Sequence, residues 1–361
     1  MRKSFGVRTC PTAILRAVTS DDLLVGLDEI LAARERIAGH VHRTPMLSSS
    51  TAARFITAAG GPRLADDRLY VKAENVQKTG SFKARGMTNR IATLEPGQRA
   101  RGAITMSAGN AGQAFAWAAT EAGVPMVTVM AETANPLKVQ ACRDYGAEVV
   151  LEGAHVGDAF RALERIRDER GLVFTHPFDD AMVIAGHGTV GTEILEDVPD
   201  LDVLVVGIGG GGLISGVAAA VKEQRPEVRV YGVEPTGADA MTRAFAAGAP
   251  VPIEPHTVAD GLAAPFAGER TLAMCRRYLE DIVLLEDSEI LGGVWFAIER
   301  MKQVLEPAGA SALAAVFHGR IPIRDGERVV VVGSGGNIDV GRLGELLAAA
   351  APLPGVAAVA R

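Results

Sequence analysis

Residues 203–216 read VLVVGIGGGGLISG, an apolar run that passes through four consecutive glycines into a helix-forming stretch. An uninterrupted apolar run suits a strand covered on both faces. A strand that leads through a glycine turn into a helix is the repeating unit of a parallel α/β sheet. Successive glycines leave backbone N–H groups unobstructed by Cβ, and the helix start adds partial positive charge. The segment therefore predicts a phosphate cradle. Gly207, Gly209 and Gly212 also satisfy GxGxxG. On that reading Glu234, at the end of the next strand, would hold the ribose of a dinucleotide. The segment alone leaves both readings open, beside that of a tight structural turn.

The rest of the chain repeats the pattern. Apolar runs predict strands at 69–73, 103–106, 126–130, 148–151, 172–175, 203–206, 228–233, 282–285 and 328–332. Helices are predicted at 111–122, 212–222 and 341–350. Another is expected to open near Ser20, with Asp21 and Asp22 in its first turn and Leu23, Leu24, Leu27, Ile30 and Leu31 on its apolar face. Length predicts about two domains. Three turns rich in glycine or hydroxyl residues, 107–112, 207–212 and 333–337, fall at strand-to-helix junctions. In an open parallel sheet that edge is where ligands bind.

Composition narrows the partners. Glycine accounts for 41 of 361 residues, well above the usual level of roughly 7 %. The charge balance of 37 basic to 43 acidic residues, with no dense basic cluster, argues against nucleic acid. No apolar run reaches the roughly 18 residues that span a bilayer. The first twenty residues carry Arg2, Lys3, Arg8 and Arg16 and no acid. Arg16 interrupts their only apolar stretch, so they read as a frayed extension rather than a secretory signal. Cys10, Cys142 and Cys275 lack metal-ligand spacing and read as reduced core thiols of a cytoplasmic protein. Of only seven lysines, Lys83 lies in NVQKTGSFKARG, between Phe82 and small residues. That is a setting in which a partly desolvated amine can form an imine.

The segments TGSFKARG, SAGN, HPFDD with VIAGHGTVGTEI, GGGGLISG, GVEP, VADG, EPAGASALAA and GSGGN follow in that order. In this the chain resembles the fold-type II pyridoxal-phosphate enzymes, and within them the threonine/serine dehydratase and serine racemase group, over roughly residues 25–345. The resemblance implies a tryptophan synthase β-like α/β fold of two open, mostly parallel sheets flanked by helices. It also implies a large cofactor-binding domain (1–96 and 181–361) with a small domain (97–180) inserted in it.

Residue roles follow from the same resemblance. Lys83 would hold pyridoxal 5'-phosphate as an imine and, once displaced by substrate, act as the base toward the α-proton. Phe82 would pack on the ring and Asn110 would bind its hydroxyl. Gly209, Gly210, Gly211, Gly212 and Leu213 would donate N–H groups to the phosphate. Ser334 would face the pyridine nitrogen, leaving it mostly unprotonated and the ring a weaker electron sink. Ser107, Ala108, Gly109 and Asn110, at a helix start, would receive the substrate carboxylate. The implied reaction is α,β-elimination. L-threonine or L-serine loses its β-hydroxyl, with the cofactor phosphate as proton donor, and the aminoacrylate product hydrolyses to a 2-oxo acid and ammonia. A homodimer acting on a small amino acid is also implied.

Departures from the group's pattern bear on the choice within it. Racemases place a second serine where this chain has Ala108, so the second base is missing. Ala111 replaces a usual histidine, and His187 a usual glutamine. The group's divalent-cation pattern (Mg or Ca) would use Glu234, the carbonyl of Ala238 and an aspartate two residues on, where this chain has Ala240 beside Asp239. A hard cation would lose one carboxylate there, and its presence is left open. Competing readings are a dehydratase of 3-hydroxyaspartate, phenylserine or a hydroxyectoine-derived acid, a serine racemase, an NAD-binding oxidoreductase, or a non-catalytic relative. His176, Asp179 and Asp180 read as loop-ordering groups, and Trp117 and Trp295 as core. His155, His256 and His318 have no partners at metal spacing. Glu306 opens EPAGASALAA at a helix N-terminus, where a charge role is open. Beyond Asn337 the sequence holds only a short helix, so no isoleucine feedback is expected.

Overall fold

The computed structural model describes residues 23–354. Its strands are β1 (Met46–Ser49), β2 (Leu69–Ala73), β3 (Ala103–Met106), β4 (Met126–Met130), β5 (Glu148–Leu151), β6 (Val173–Phe174), β7 (Val203–Gly207), β8 (Arg229–Pro235), β9 (Asp281–Leu285) and β10 (Val329–Gly333). They form a six-stranded sheet, β1-β2-β10-β7-β8-β9, and a four-stranded sheet, β5-β4-β3-β6. Every strand pairing is parallel except that of β1 with β2. The expected class, two mostly parallel sheets flanked by helices, is what the chain adopts.

The larger sheet owes its position to valine. β7 and β10 are buried along their whole length because neither carries a polar side chain. Their alternate residues feed two cores. Val203, Val205, Val329 and Val331 pack with the helices Asp287–Phe296 and Pro307–Phe317 on one face. Leu204, Val206, Val330 and Val332 pack with Ala181–Asp197 and Gly212–Lys222 on the other. The latter two helices touch backbone to backbone. A Cβ on Gly216 would lie 2.2 Å from the Ile184 carbonyl oxygen, so this glycine serves helix packing rather than a ligand.

Two expectations need correction. The apolar runs do not predict β1: MLSS is short and half polar, and only pairing at the sheet edge makes it a strand. Among the described residues the first α-helix is Leu27–Ile37, so the helix expected to open near Ser20 and run on through Leu31 is interrupted before Leu27. Leu24, Val25 and Gly26 are non-helical. The Leu27 N–H donates to the Glu223 carboxylate at 2.7 Å, and the Gly26 N–H donates to Glu29 at 3.0 Å. Carboxylates from within and beyond the helix thus satisfy its first donors, which fixes its start. Ser20, Asp21, Asp22 and Cys10 lie outside the described residues. Cys142 and Cys275 are buried and unpaired, and Trp117 and Trp295 pack against the cores. Among the described residues no helix is long and apolar enough to cross a membrane.

Candidate active site

All three glycine- or hydroxyl-rich turns border one cavity of about 960 Å³. It is lined by Phe82 and Lys83, by Ser107, Ala108, Gly109, Asn110 and Ala111, by Gly209 to Leu213, and by Glu306 and Ser334. β2 delivers the first group through two short 3₁₀ turns. β3, β7 and β10 deliver the turns at their carboxyl ends, the edge where an open parallel sheet binds ligands.

Lys83 is the first residue of the helix Lys83–Ala92. Its Nζ donates to the Pro177 carbonyl at 3.0 Å and lies 5.1 Å from the Phe82 ring centre. Burial pulls its amine down to about 8, and no carboxylate opposes that shift. The turn before it is stitched to the turn after β10. The Phe82 N–H donates to the Ser334 carbonyl at 3.0 Å, and Gly336 N–H donates to the Gly80 carbonyl at 2.9 Å. Behind Phe82 stands His187, edge-on at 4.7 Å. It accepts from the Gly86 N–H at 3.2 Å, and burial first, then Lys83 and Arg85, hold it well below the ordinary imidazole value.

Gly209, Gly210, Gly211, Gly212 and Leu213 sit at the junction of β7 and the helix Gly212–Lys222. Their N–H groups have no acceptor among the described residues. A Cβ on Gly210 would lie 2.3 Å from the Phe178 ring, so a larger residue at this position would displace that ring. Five unpaired donors at a helix N-terminus form an anion cradle. On the wall of the same cavity, Ser107 Oγ accepts from the Gly109 N–H at 3.2 Å, just before the helix Asn110–Glu121 begins.

The HPFDD loop is held as the sequence suggested. His176 Nδ1 accepts from the N–H of Phe178 and Asp179 at 3.2 and 2.8 Å. Asp180 accepts from Met182 and Val183 at the head of its helix and pairs with Arg90. Glu234 and Ala238 lie apart from the cavity. Glu234 is fully buried, and its oxygens accept from the N–H of Met241 and Thr242 and from the Thr242 hydroxyl, at 2.8, 2.9 and 2.6 Å. Burial pushes its carboxyl up to about 7. So placed, it has no free edge for a ribose, which removes the support of the dinucleotide reading. Among the described residues no group of three or more His, Cys, Asp or Glu is placed to hold a metal.

Sequence reasoning missed Arg85, two residues after the lysine. It is fully buried, with Nε and Nη2 both 2.8 Å from Glu74 and Nη1 and Nη2 at 2.7 and 2.8 Å from Glu193. Lys72 joins Glu193 at 2.7 Å. These bonds tie the lysine helix to β2 and to the helix Ala181–Asp197. An arginine beside a motif lysine gives no sign in the sequence of which distant acids will face it. The ion pair of Lys138 with Asp260 at the cavity wall was missed for the same reason.

A half-buried amine without a counter-charge, in one cavity with a glycine anion cradle and a second helix N-terminus, defines a site for a phosphorylated carbonyl compound. The chain belongs to the pyridoxal-phosphate dependent enzyme family, whose sequence profile matches residues 37–335. It is 40% identical over 325 residues to the L-threonine ammonia-lyase of Thermotoga maritima, covering 90% of this chain and 78% of the relative. Its fold matches a solved threonine deaminase from T.th. with a TM-score of 0.78 at 38% identity, covering 87% of this chain and 99% of that one. It matches maize serine racemase at 0.82 and 35%, covering 89% and 96%. The fold is thus that of the fold-type II enzymes, and pyridoxal phosphate is the family's cofactor.

Proposed function

We propose that the protein is a lyase that converts L-threonine or L-serine to the corresponding 2-oxo acid and ammonia by α,β-elimination. The observation that carries this reading is Lys83, an amine that burial brings near neutrality beside the glycine cradle. Pyridoxal phosphate fits the residues present, since the cradle offers five unpaired N–H donors for a phosphate and Lys83 offers an amine for an aldehyde. When bound, the cofactor supplies that aldehyde and a ring that takes up electron density from the substrate's α-carbon.

The chain's own residues do the rest. Lys83 Nζ, once released, accepts the α-proton; an amine near 8 holds a useful neutral fraction at neutral pH. Gly209, Gly210, Gly211, Gly212 and Leu213 would hold the phosphate. On the cavity wall, Phe82 would pack against the ring, Asn110 would meet its hydroxyl, and Ser334 would face its nitrogen. Ser107, Ala108, Gly109 and Asn110 take the substrate carboxylate at the start of a helix. Ala108 offers no proton donor, which favours elimination over racemisation.

Three further assignments belong to this reading. The large unit is 1–96 with 181–361, and the small one 97–180, which contains the whole four-stranded sheet. The active species is a cytoplasmic homodimer. The divalent cation of the group would fall at Glu234 and Ala238, but the Glu234 oxygens are already engaged by Met241 and Thr242. That donor set does not fit the ion, and no step is assigned to it. The test is 2-oxo acid release from L-threonine, L-serine, 3-hydroxyaspartate and phenylserine by the purified holoenzyme. Highest turnover with threonine or serine is expected; turnover of neither, or racemisation alone, would overturn the assignment.

A further inference from the structure

Asn110 has its amide held from both ends. Its Oδ1 accepts from Asn337 Nδ2 at 2.9 Å, and Asn337 Nδ2 also donates to the Thr79 carbonyl at 2.7 Å. Its Nδ2 donates to Glu306 Oε1 at 2.6 Å. Glu306 is the residue before the helix Pro307–Phe317, and its own N–H donates to the Gly335 carbonyl at 3.1 Å. One chain of hydrogen bonds therefore links the turn before Lys83, the start of the helix Asn110–Glu121, the turn after β10, and Glu306.

Building on the reading of Asn110 as a cofactor contact, we propose that Glu306 is a positioning residue. By accepting from Asn110 Nδ2 it fixes that amide so that its second N–H stays available to the cofactor. The geometry leaves one orientation. A flipped Asn110 would set its NH₂ against the NH₂ of Asn337, donor to donor, and the Thr79 carbonyl keeps Asn337 from turning with it. Only a lone pair is asked of Glu306, not a charge. Burial, and next the carboxylate of Asp260, push its carboxyl up to about 8, against the Asn110 bond and Lys138. Asp260 and Lys138 are paired with each other, which leaves Glu306 without an ion partner of its own. A neutral acid accepts from Asn110 without bringing a second negative charge to the edge where the ring hydroxyl is expected. Glutamine reproduces this arrangement. Alanine removes it, and aspartate, one methylene shorter, withdraws from Asn110.

The test uses holoenzyme and follows cofactor release by absorbance, together with the position of the visible band. E306Q is expected to release cofactor within about twofold of wild type, while E306A and E306D release it about tenfold faster, the size of one lost buried hydrogen bond. N110A should match E306A, and the double variant should be no worse than either, because both remove one contact. N337S removes the other clamp and should show the same non-additivity, which keeps the test alive if E306A does not fold. The proposal is overturned if E306Q releases cofactor as fast as E306A, or if the effects of N110A and E306A multiply. It is also overturned if N110A leaves release unchanged. In that last case the lyase reading still stands or falls separately, on 2-oxo acid release by the wild-type enzyme.

Discussion

Around Arg85, each buried charge faces an opposite one: Glu74 and Glu193 grip the guanidinium from two sides, and Lys72 meets Glu193. Two residues away on the same helix, Lys83 has only a carbonyl for a partner, and Glu306, on the cavity wall, has only an amide. Burial works against charge in both regions. In the first the carboxylates outweigh it and Arg85 stays charged. In the second nothing outweighs it, so the amine falls to about 8 and the acid rises to about 8. The paired region welds three elements together, while the unpaired one holds groups whose protons can move near neutral pH. Burial alone marks neither function nor structure. The presence or absence of a counter-charge separates them.

The contrast can be broken by substitution. Lys83→Ala should lower kcat by about 10³-fold or more, the scale of losing a general base, with the thermal unfolding curve little changed. A comparable loss from a change at Lys72, at unchanged stability, would erase the distinction. Glu74→Ala leaves the buried guanidinium short of one carboxylate and should cost roughly 3–5 kcal/mol in urea unfolding. A smaller cost would show that water reaches Arg85. Glu306 enters with opposite sign to an ion-paired acid. Folded, its carboxyl keeps its proton to about 8, whereas the unfolded chain releases it near the ordinary value of about 4.3. Its contribution is thus fully present below about pH 4 and declines as pH rises through 8. The Tm of E306Q should therefore fall less than that of wild type between about pH 5 and pH 8. Asp180→Ala removes a half-buried cap and its pairing with Arg90 and should cost only about 1 kcal/mol, which sets the scale for an ion pair that water can reach.

Most of the framework was legible because it rests on local signals. β2, β3, β4 and β5 fall where the apolar runs placed them, and the glycine turn after β7 opens its helix at Gly212 as expected. Lys83, Asn110, Ser334 and the glycine loop share one cavity, since each sits at the carboxyl end of a parallel strand or just beyond it. Partners distant in sequence were not legible. Arg85 meets Glu193 across 108 positions, and Asn110 meets Glu306 across 196; no periodicity encodes such pairs. The glycine excess also proved less single-minded than its motifs suggested. Gly216 is spent on the contact between two helices, a demand that appears only when their backbones are seen to touch.

The sharpest test sets half-buried Lys83 against fully buried Lys72. Reduction of the holoenzyme with borohydride fixes the cofactor on the lysine that holds it, and proteolysis with mass spectrometry locates the label. The expected result is a single pyridoxyl-bearing peptide carrying Lys83. Label on Lys72, or on any other lysine, would contradict the assignment of the unpaired amine as the reactive one.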